Sequence, residues 1–229
     1  MRGEILGEIL KARDEARALV VATRLADGEQ SVVDADPAAP EGTLAHAAHA
    51  ALMSDKARTV EIAGEDWFLN VFNTPLRLVV VGAVHIAQAL VPAAQLAGYL
   101  VTVVDPRTAF ATADRFPGVA ISHDWPDEAM EALKPDHRTA LVTLTHDPKL
   151  DDPALHVALR APLFYIGALG STRTHAKRVA RLTEAGFTEA EIARIHAPVG
   201  LSISASTPAE IAIATLAQIT SVLRGGKVR

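Results

Sequence analysis

The sequence predicts an α/β fold built on a doubly wound parallel sheet of Rossmann type, preceded by a small α/β unit, and three observations support it. From Leu78 to Leu223, apolar runs short enough for buried strands alternate with segments that carry helix-start signals. Within that alternation residues 76–107, LRLVVVGAVHIAQALVPAAQLAGYLVTVVDPR, read as strand, tight turn, helix, strand and acid, the order of a dinucleotide-binding βαβ unit. Residues 1–75 follow another rhythm, with a helical stripe and a hairpin. The domain boundary is therefore placed between residues 75 and 76, giving units 1–75 and 76–229.

The elements follow in order. Ile5, Leu6, Ile9, Leu10, Ala12 and Ala16 form a helical stripe, Ala18 to Thr23 read as a strand, and Asp27-Gly28 turn the chain into a second strand, Gln30 to Val33. After a loop over 35–42, Thr43 can cap a helix running through Met53. Thr59 to Ala63 and Trp67 to Phe72 form a hairpin about Gly64-Glu65-Asp66, and Asn73-Thr74-Pro75 link it to the βαβ unit. There Leu78 to Val81 is the first strand, Gly82 the turn, Pro92 a kink inside the helix, Gly98 its C-cap and Leu100 to Val104 the second strand. Val119 to Ser122 is the third strand, followed by a helix from Pro126 to Leu133 that Pro135 closes. Thr139 to Thr145 is the fourth strand, Asp152-Pro153 open a helix to about Arg160, and Leu163 to Ile166 is the fifth strand. Thr188 with Glu191, and Thr207 with Glu210 behind Pro208, fit capping boxes. The last helix reaches about Leu223, and the tail from Gly225 to Arg229 is expected to fray.

Composition narrows the chemistry. The 229 residues are 49% hydrophobic but 4% aromatic, so the core is to be packed from Ala, Val, Leu and Ile. A net charge of −5 supplies no basic field for nucleic acid. There is no cysteine, which rules out disulfides, a thiolate nucleophile, a persulfide carrier and cysteine-based metal sites within the chain. His46 and His49 share a helical face without a third ligand, so no metal is assigned. The uncharged stretch between Arg77 and Asp105 is long enough to suggest a membrane span, but Gly82, His85, Pro92 and Gly98, with β-branched residues at both ends, fit βαβ instead. Arg2, Glu4, Glu8 and Lys11 break up any signal-peptide apolar region, which leads to an expected cytoplasmic location.

Ligands of doubly wound sheets sit at the carboxyl ends of the strands, and the residues predicted there are polar. After the first strand come Gly82 and His85, after the second Asp105 and Arg107, after the fourth His146 and Asp147, and after the fifth Gly167, Gly170, Ser171 and Arg173. The G-x-G-x-x-G positions are Gly82, Val84 and Ala87, so Val84 stands where a glycine normally admits the pyrophosphate. Asp105 suits a ribose hydroxyl, while Arg107 could take a phosphate or pair with a neighbouring carboxylate. Gly167 and Gly170 free the backbone to face an anion, Ser171 can cap the next helix, and Arg173 offers a planar fork. The basic residues farther along, Lys177, Arg178 and Arg181, read as a solvated helix face. His146 and Asp147 fit an acid/base pair, metal ligands, or a helix-capping Asp beside a structural His.

With these residues in hand, the segments VVVGAVHIAQAL, VTVVDPRTAFATADRFPG, ALVTLTHDPKLDDPAL, YIGALGSTRTHAKRVARL and RIHAPVGLSISASTPAEIAIATLAQI closely resemble the XdhC/CoxI family of molybdenum hydroxylase accessory proteins. The resemblance covers about residues 76–223. It implies a Rossmann-like C-terminal domain and a role in binding, protecting or delivering a molybdopterin-type cofactor to a client xanthine or carbon monoxide dehydrogenase. It also implies partners: the client enzyme, a second XdhC/CoxI-type protein, or a second copy of the chain in a homodimer. The family's G-A-G-H turn is GAVH here, and its Gly-Cys-Val-Glu motif has no counterpart in the reduced N-terminal region 1–75, so no thiolate contact to molybdenum is carried over. Two readings compete with a maturation factor: an NAD(P)-binding oxidoreductase, from the βαβ unit alone, and an interaction scaffold with a vestigial nucleotide cleft, from Val84 and the missing cysteine.

Overall fold

The computed structural model describes residues 3–226 and divides into two compact units, Met1–Thr74 and Pro75–Arg229. The tail at 227–229 lies outside the described residues, and with it most of the segment expected to fray.

The first unit is an antiparallel sheet between two helices. Helix α1 (Gly3–Asp14) precedes strands β1 (Leu19–Arg24) and β2 (Gln30–Val33), helix α2 (Leu44–Ser54) follows, and strands β3 (Arg58–Ile62) and β4 (Glu65–Phe72) close the sheet in the order β2-β1-β4-β3. Side chains alternate along β1 as a pleated strand requires: Val20 and Ala22 pack with Leu69 under α2, while Leu19 and Val21 pack with Ala12 of α1. The Thr43 side chain caps α2 by accepting from the His46 amide. The hairpin turn is tighter than its sequence suggests, with Ala63 and Gly64 both at positive φ, as a two-residue turn demands. Trp67 lies beneath the Arg24 guanidinium, 5.5 Å from ring centroid to charge.

The second unit carries a six-stranded parallel sheet. Its elements are β5 (Arg77–Val81), α3 (His85–Leu96), β6 (Leu100–Val104), β7 (Ala120–Ser122), α4 (Pro126–Leu133), β8 (Thr139–Thr143), α5 (Pro148–Arg160), β9 (Tyr165–Ala168), α6 (Thr172–Glu184), α7 (Glu189–Ile192), β10 (Ile195–His196) and α8 (Pro208–Arg224). The order β10-β9-β8-β5-β6-β7 is that of a doubly wound sheet, and the direction of winding reverses between β5 and β8. Leu78 pairs with Val101 and Val81 with Val104, so the two strands of the βαβ unit are parallel neighbours.

Alternation along β5 sends its side chains into two cores. Leu78 and Val80 join Ile86, Leu90 and Val91 of α3 and Ile219 of α8, while Val79 and Val81 join Met130 of α4, Leu155 of α5 and Leu182 of α6. Each fully buried aliphatic side chain contributes about 1.5–3 kcal/mol, which is how a sheet so poor in aromatics is held. Trp125 immediately precedes α4 and is half exposed.

Three boundaries depart from expectation. Helix α5 opens at Asp147-Pro148 rather than Asp152-Pro153, because the Asp147 carboxylate accepts from the Lys149 amide and Pro148 needs no donor at the first helical position; Pro153 lies inside the helix. The fifth strand is displaced toward the C-terminus and takes in Gly167, and the fourth ends at Thr143 rather than Thr145. A sixth strand, β10, is two residues long and leaves no periodic pattern to read.

Candidate functional site

Around the winding reversal the loops at the carboxyl edge touch. Gly82 has φ of +106°, and a Cβ built on it would lie 2.5 Å from Thr145 Cγ2, so the turn after β5 rests directly against the loop after β8. Thr145 is fixed in turn, its hydroxyl donating to Asp151 Oδ1 at 2.6 Å.

The first cluster of expected ligand residues is tied up internally. Asp105 is fully buried and accepts from four donors: the Ala83 amide at 2.8 Å, the Arg107 amide at 3.0 Å, Arg107 Nε at 2.9 Å and Arg107 Nη2 at 2.8 Å. Burial pushes its carboxyl up, but the bonds from Arg107 and Ala83 outweigh this and hold it below the usual range. Four donors fill the acceptor positions of a carboxylate, which leaves none for a ribose hydroxyl. Arg107 takes the pairing role and stacks on Phe110, 4.6 Å from the ring centroid. Val84 occupies the N-cap of α3 without a side-chain cap bond, and with exposed His85 it borders a cleft of about 350 Å³ shared with Gln88, Phe110 and Arg115.

The second cluster forms a cleft. Ser171 caps α6 by accepting from the Thr174 amide at 3.2 Å, and Gly170, at φ of +137°, brings the chain past His146, whose Nδ1 is 3.6 Å from a Cβ built there. Exposed Arg173 stands in the first turn of α6. His146 and Arg173 border a groove of about 510 Å³ with Pro148, Asp151, Thr174, Lys177, Arg178 and Arg181. Asp147 does not border it, since its carboxylate caps α5. Gly167 does not face it either: a Cβ there would lie 2.7 Å from Val199 Cγ2 and 2.8 Å from the Tyr165 ring, so this glycine serves close packing inside β9.

The starts of α3 and α6 carry no acidic side chain, unlike those of α5 and α8. The N-terminus of α5 already holds the Asp147 carboxylate, and that of α8 holds Glu210, brought down to about 2 by the amides of Thr207 and Ser206. At α6 the cap is a neutral serine and the next charges are cationic. Reading Lys177, Arg178 and Arg181 as a solvated face fails at Arg178, which is 1% exposed. Its place one turn before buried Leu182 is the signal that marks it as inward-facing. Among the described residues no group of three or more His, Cys, Asp or Glu is placed to hold a metal ion. No described helix is long and apolar enough to cross a membrane.

Comparison with known proteins agrees with this architecture. The family described as XdhC Rossmann domain matches residues 78–219. The Escherichia coli K12 protein YqeB, uncharacterized, is 34% identical over 167 residues, covering 68% of this chain and 29% of YqeB. The molybdenum cofactor insertion chaperone PaoD of the same organism is 41% identical over 87 residues, 38% of this chain and 27% of PaoD. A Bacillus subtilis 168 protein named as a probable xanthine dehydrogenase subunit is 32% identical over 133 residues, 56% of this chain and 38% of that protein. The chain thus spans well under half the length of these curated relatives. In three dimensions, a crystal structure described as a xanthine dehydrogenase from Bacillus halodurans superimposes over 98% of this chain and 65% of its own, with a TM-score of 0.72 at 22% identity, a likeness of fold. As the matched domain takes in more than half of its residues, the chain belongs to the XdhC Rossmann-domain family.

Proposed function

We propose that this chain is an accessory factor in the maturation of a molybdenum hydroxylase, working in the cytoplasm and handing a molybdopterin-type cofactor to its client. The observation that carries the reading is the groove at the start of α6, where an open helix N-terminus, a left-handed glycine and Arg173 converge on a space large enough for a small molecule. PaoD, whose name records cofactor insertion, supports the same assignment. With no cysteine in the sequence, the chain holds this cargo by its anionic organic part rather than by a thiolate on the metal. The cofactor is cargo, and the role of the chain is that of a carrier. The filled carboxylate of Asp105 speaks against the NAD(P) oxidoreductase reading.

Two experiments test this. Arg173→Ala should weaken binding of isolated molybdopterin cofactor by roughly 1.5–3 kcal/mol, the range for a hydrogen bond to a charged group, with unchanged circular dichroism. In cells lacking the chain, the client hydroxylase should be produced and folded but short of active cofactor. Its bound molybdenum, cofactor sulfuration and activity are measured after purification from both strains, and equal values would remove the maturation role.

A further inference from the structure

Resting on the reading of this groove as the seat of an anionic group, we propose that the group recognised there is a terminal phosphate monoester in its doubly charged form, bound by Arg178 and Lys177 together with Arg173 and the first turn of α6. The reason lies in Arg178. Its Nη2 donates to the Leu169 carbonyl at 2.9 Å, but its Nε and Nη1 have no partner, and the nearest carboxylate oxygen, Asp151 Oδ2, is 3.8 Å away and also unpartnered. A guanidinium carries five N–H donors, and leaving most of them unmet in a site 1% exposed costs several kcal/mol. The pair does not compensate itself: burial pushes Asp151 up and Arg178 down, each toward its neutral form. Both residues border the groove, and although the unpartnered atoms are themselves closed to solvent, their charge lies at its wall, where it attracts an anion seated in the groove.

Charge count and shape specify the ligand. The groove is bordered by Arg173, Lys177, Arg178, Arg181 and Asp151, and Asp152 pairs with Arg181 at 2.9 Å, which leaves an excess of two positive charges. A phosphate monoester carries close to two negative charges at neutral pH, its second pKa being about 6, whereas a diester carries one. The amides of Thr172 and Arg173 have no acceptor within the helix, and the hydroxyls of Ser171 and Thr174, hydrogen-bonded to each other at 3.1 Å, leave one O–H free beside them, a set of donors suited to a tetrahedral anion. Asp147 and Glu210 deny the starts of α5 and α8 to the same anion. The groove, about 510 Å³, leaves room for the body of the molecule that bears the phosphate.

The test is calorimetric titration of the full chain with inorganic phosphate, glycerol 2-phosphate and dimethyl phosphate at constant ionic strength in chloride. Inorganic phosphate and the monoester should bind at least tenfold more tightly than the diester. Lys177→Gln, an exposed position that leaves folding intact, should weaken phosphate binding by roughly tenfold. Arg178→Met combined with Asp151→Asn should abolish it, while the melting temperature without phosphate stays unchanged or rises, as expected when a poorly compensated buried charge pair is removed; loss of phosphate binding is what a purely structural pair would not show. Equal affinity for monoester and diester, or phosphate binding that is absent or indifferent to Lys177→Gln, would overturn the proposal, and the Lys177 arm decides even if the double variant fails to fold. Because these probes involve no client enzyme, their failure is distinct from failure of the maturation role, which is read in cells.

Discussion

Gly82→Ala destabilises the parallel-sheet unit by roughly 3–5 kcal/mol, the sum of a strained backbone at φ of +106° and overpacking against Thr145. A clash with the end of a side chain is usually relieved by rotation. Here rotation is blocked, because turning the Thr145 methyl away breaks the 2.6 Å bond from its hydroxyl to buried Asp151. Relief at the turn therefore disturbs the carboxylate that faces Arg178, so the variant should weaken phosphate binding as well as stability. Urea unfolding gives the stability term, and Gly98→Ala is the control. Gly98 has φ of +88° and open space within 4 Å of where a Cβ would stand, so it loses the backbone term alone, on the order of 1–2 kcal/mol. Equal losses at the two glycines would show that the Thr145 contact is not what constrains the turn.

Asp105→Ala is the second large effect, roughly 2–4 kcal/mol, because it strands the buried Ala83 amide and frees Arg107 from the loop after β6. The same group predicts an acid dependence with a definite sign. Its folded pKa is depressed, so its stabilisation is complete above the unfolded aspartate value, near 4, and is lost as pH falls through the lower folded value. Unfolding free energy measured from pH 7 downward should therefore drop in the wild type over that acid window, and Asp105→Asn should flatten this part of the curve. An acid limb identical in the variant would assign the loss to other carboxylates.

What the sequence makes legible follows from how local each signal is. Caps are local: Thr43, Ser171, Thr188 and Thr207 each receive the amide their spacing predicts. The βαβ unit is also legible, because Leu78 to Val81 and Val101 to Val104 send apolar residues to both faces, as strands buried on both sides do, with Gly82 and Gly98 punctuating the helix between them. Two consecutive Asp-Pro signals defeat the reading of α5, since Asp147-Pro148 and Asp152-Pro153 are equivalent as spelling and only the end of β8 chooses between them. Gly167 is misread because a glycine next to a strand end looks the same whether it serves a ligand or the Tyr165 ring. Arg178 is hidden among three basic neighbours, and its burial depends on which face of α6 meets the sheet. For Arg107 the residue types leave phosphate binding and pairing both open, and the geometry of its bonds to the Asp105 carboxylate decides for pairing.

The two tryptophans give the molecule a spectroscopic consequence. Trp67 belongs to the antiparallel unit and Trp125 to the parallel one, and the sequence contains no third. Each unit therefore carries a single tryptophan in a different setting, one stacked under a guanidinium and one half open to solvent. Replacing either indole by phenylalanine, and exciting at the red edge where tyrosine no longer absorbs, turns the tryptophan emission of the chain into a report on the other unit alone, so that melting, denaturant and ligand titrations can be resolved unit by unit without an attached dye.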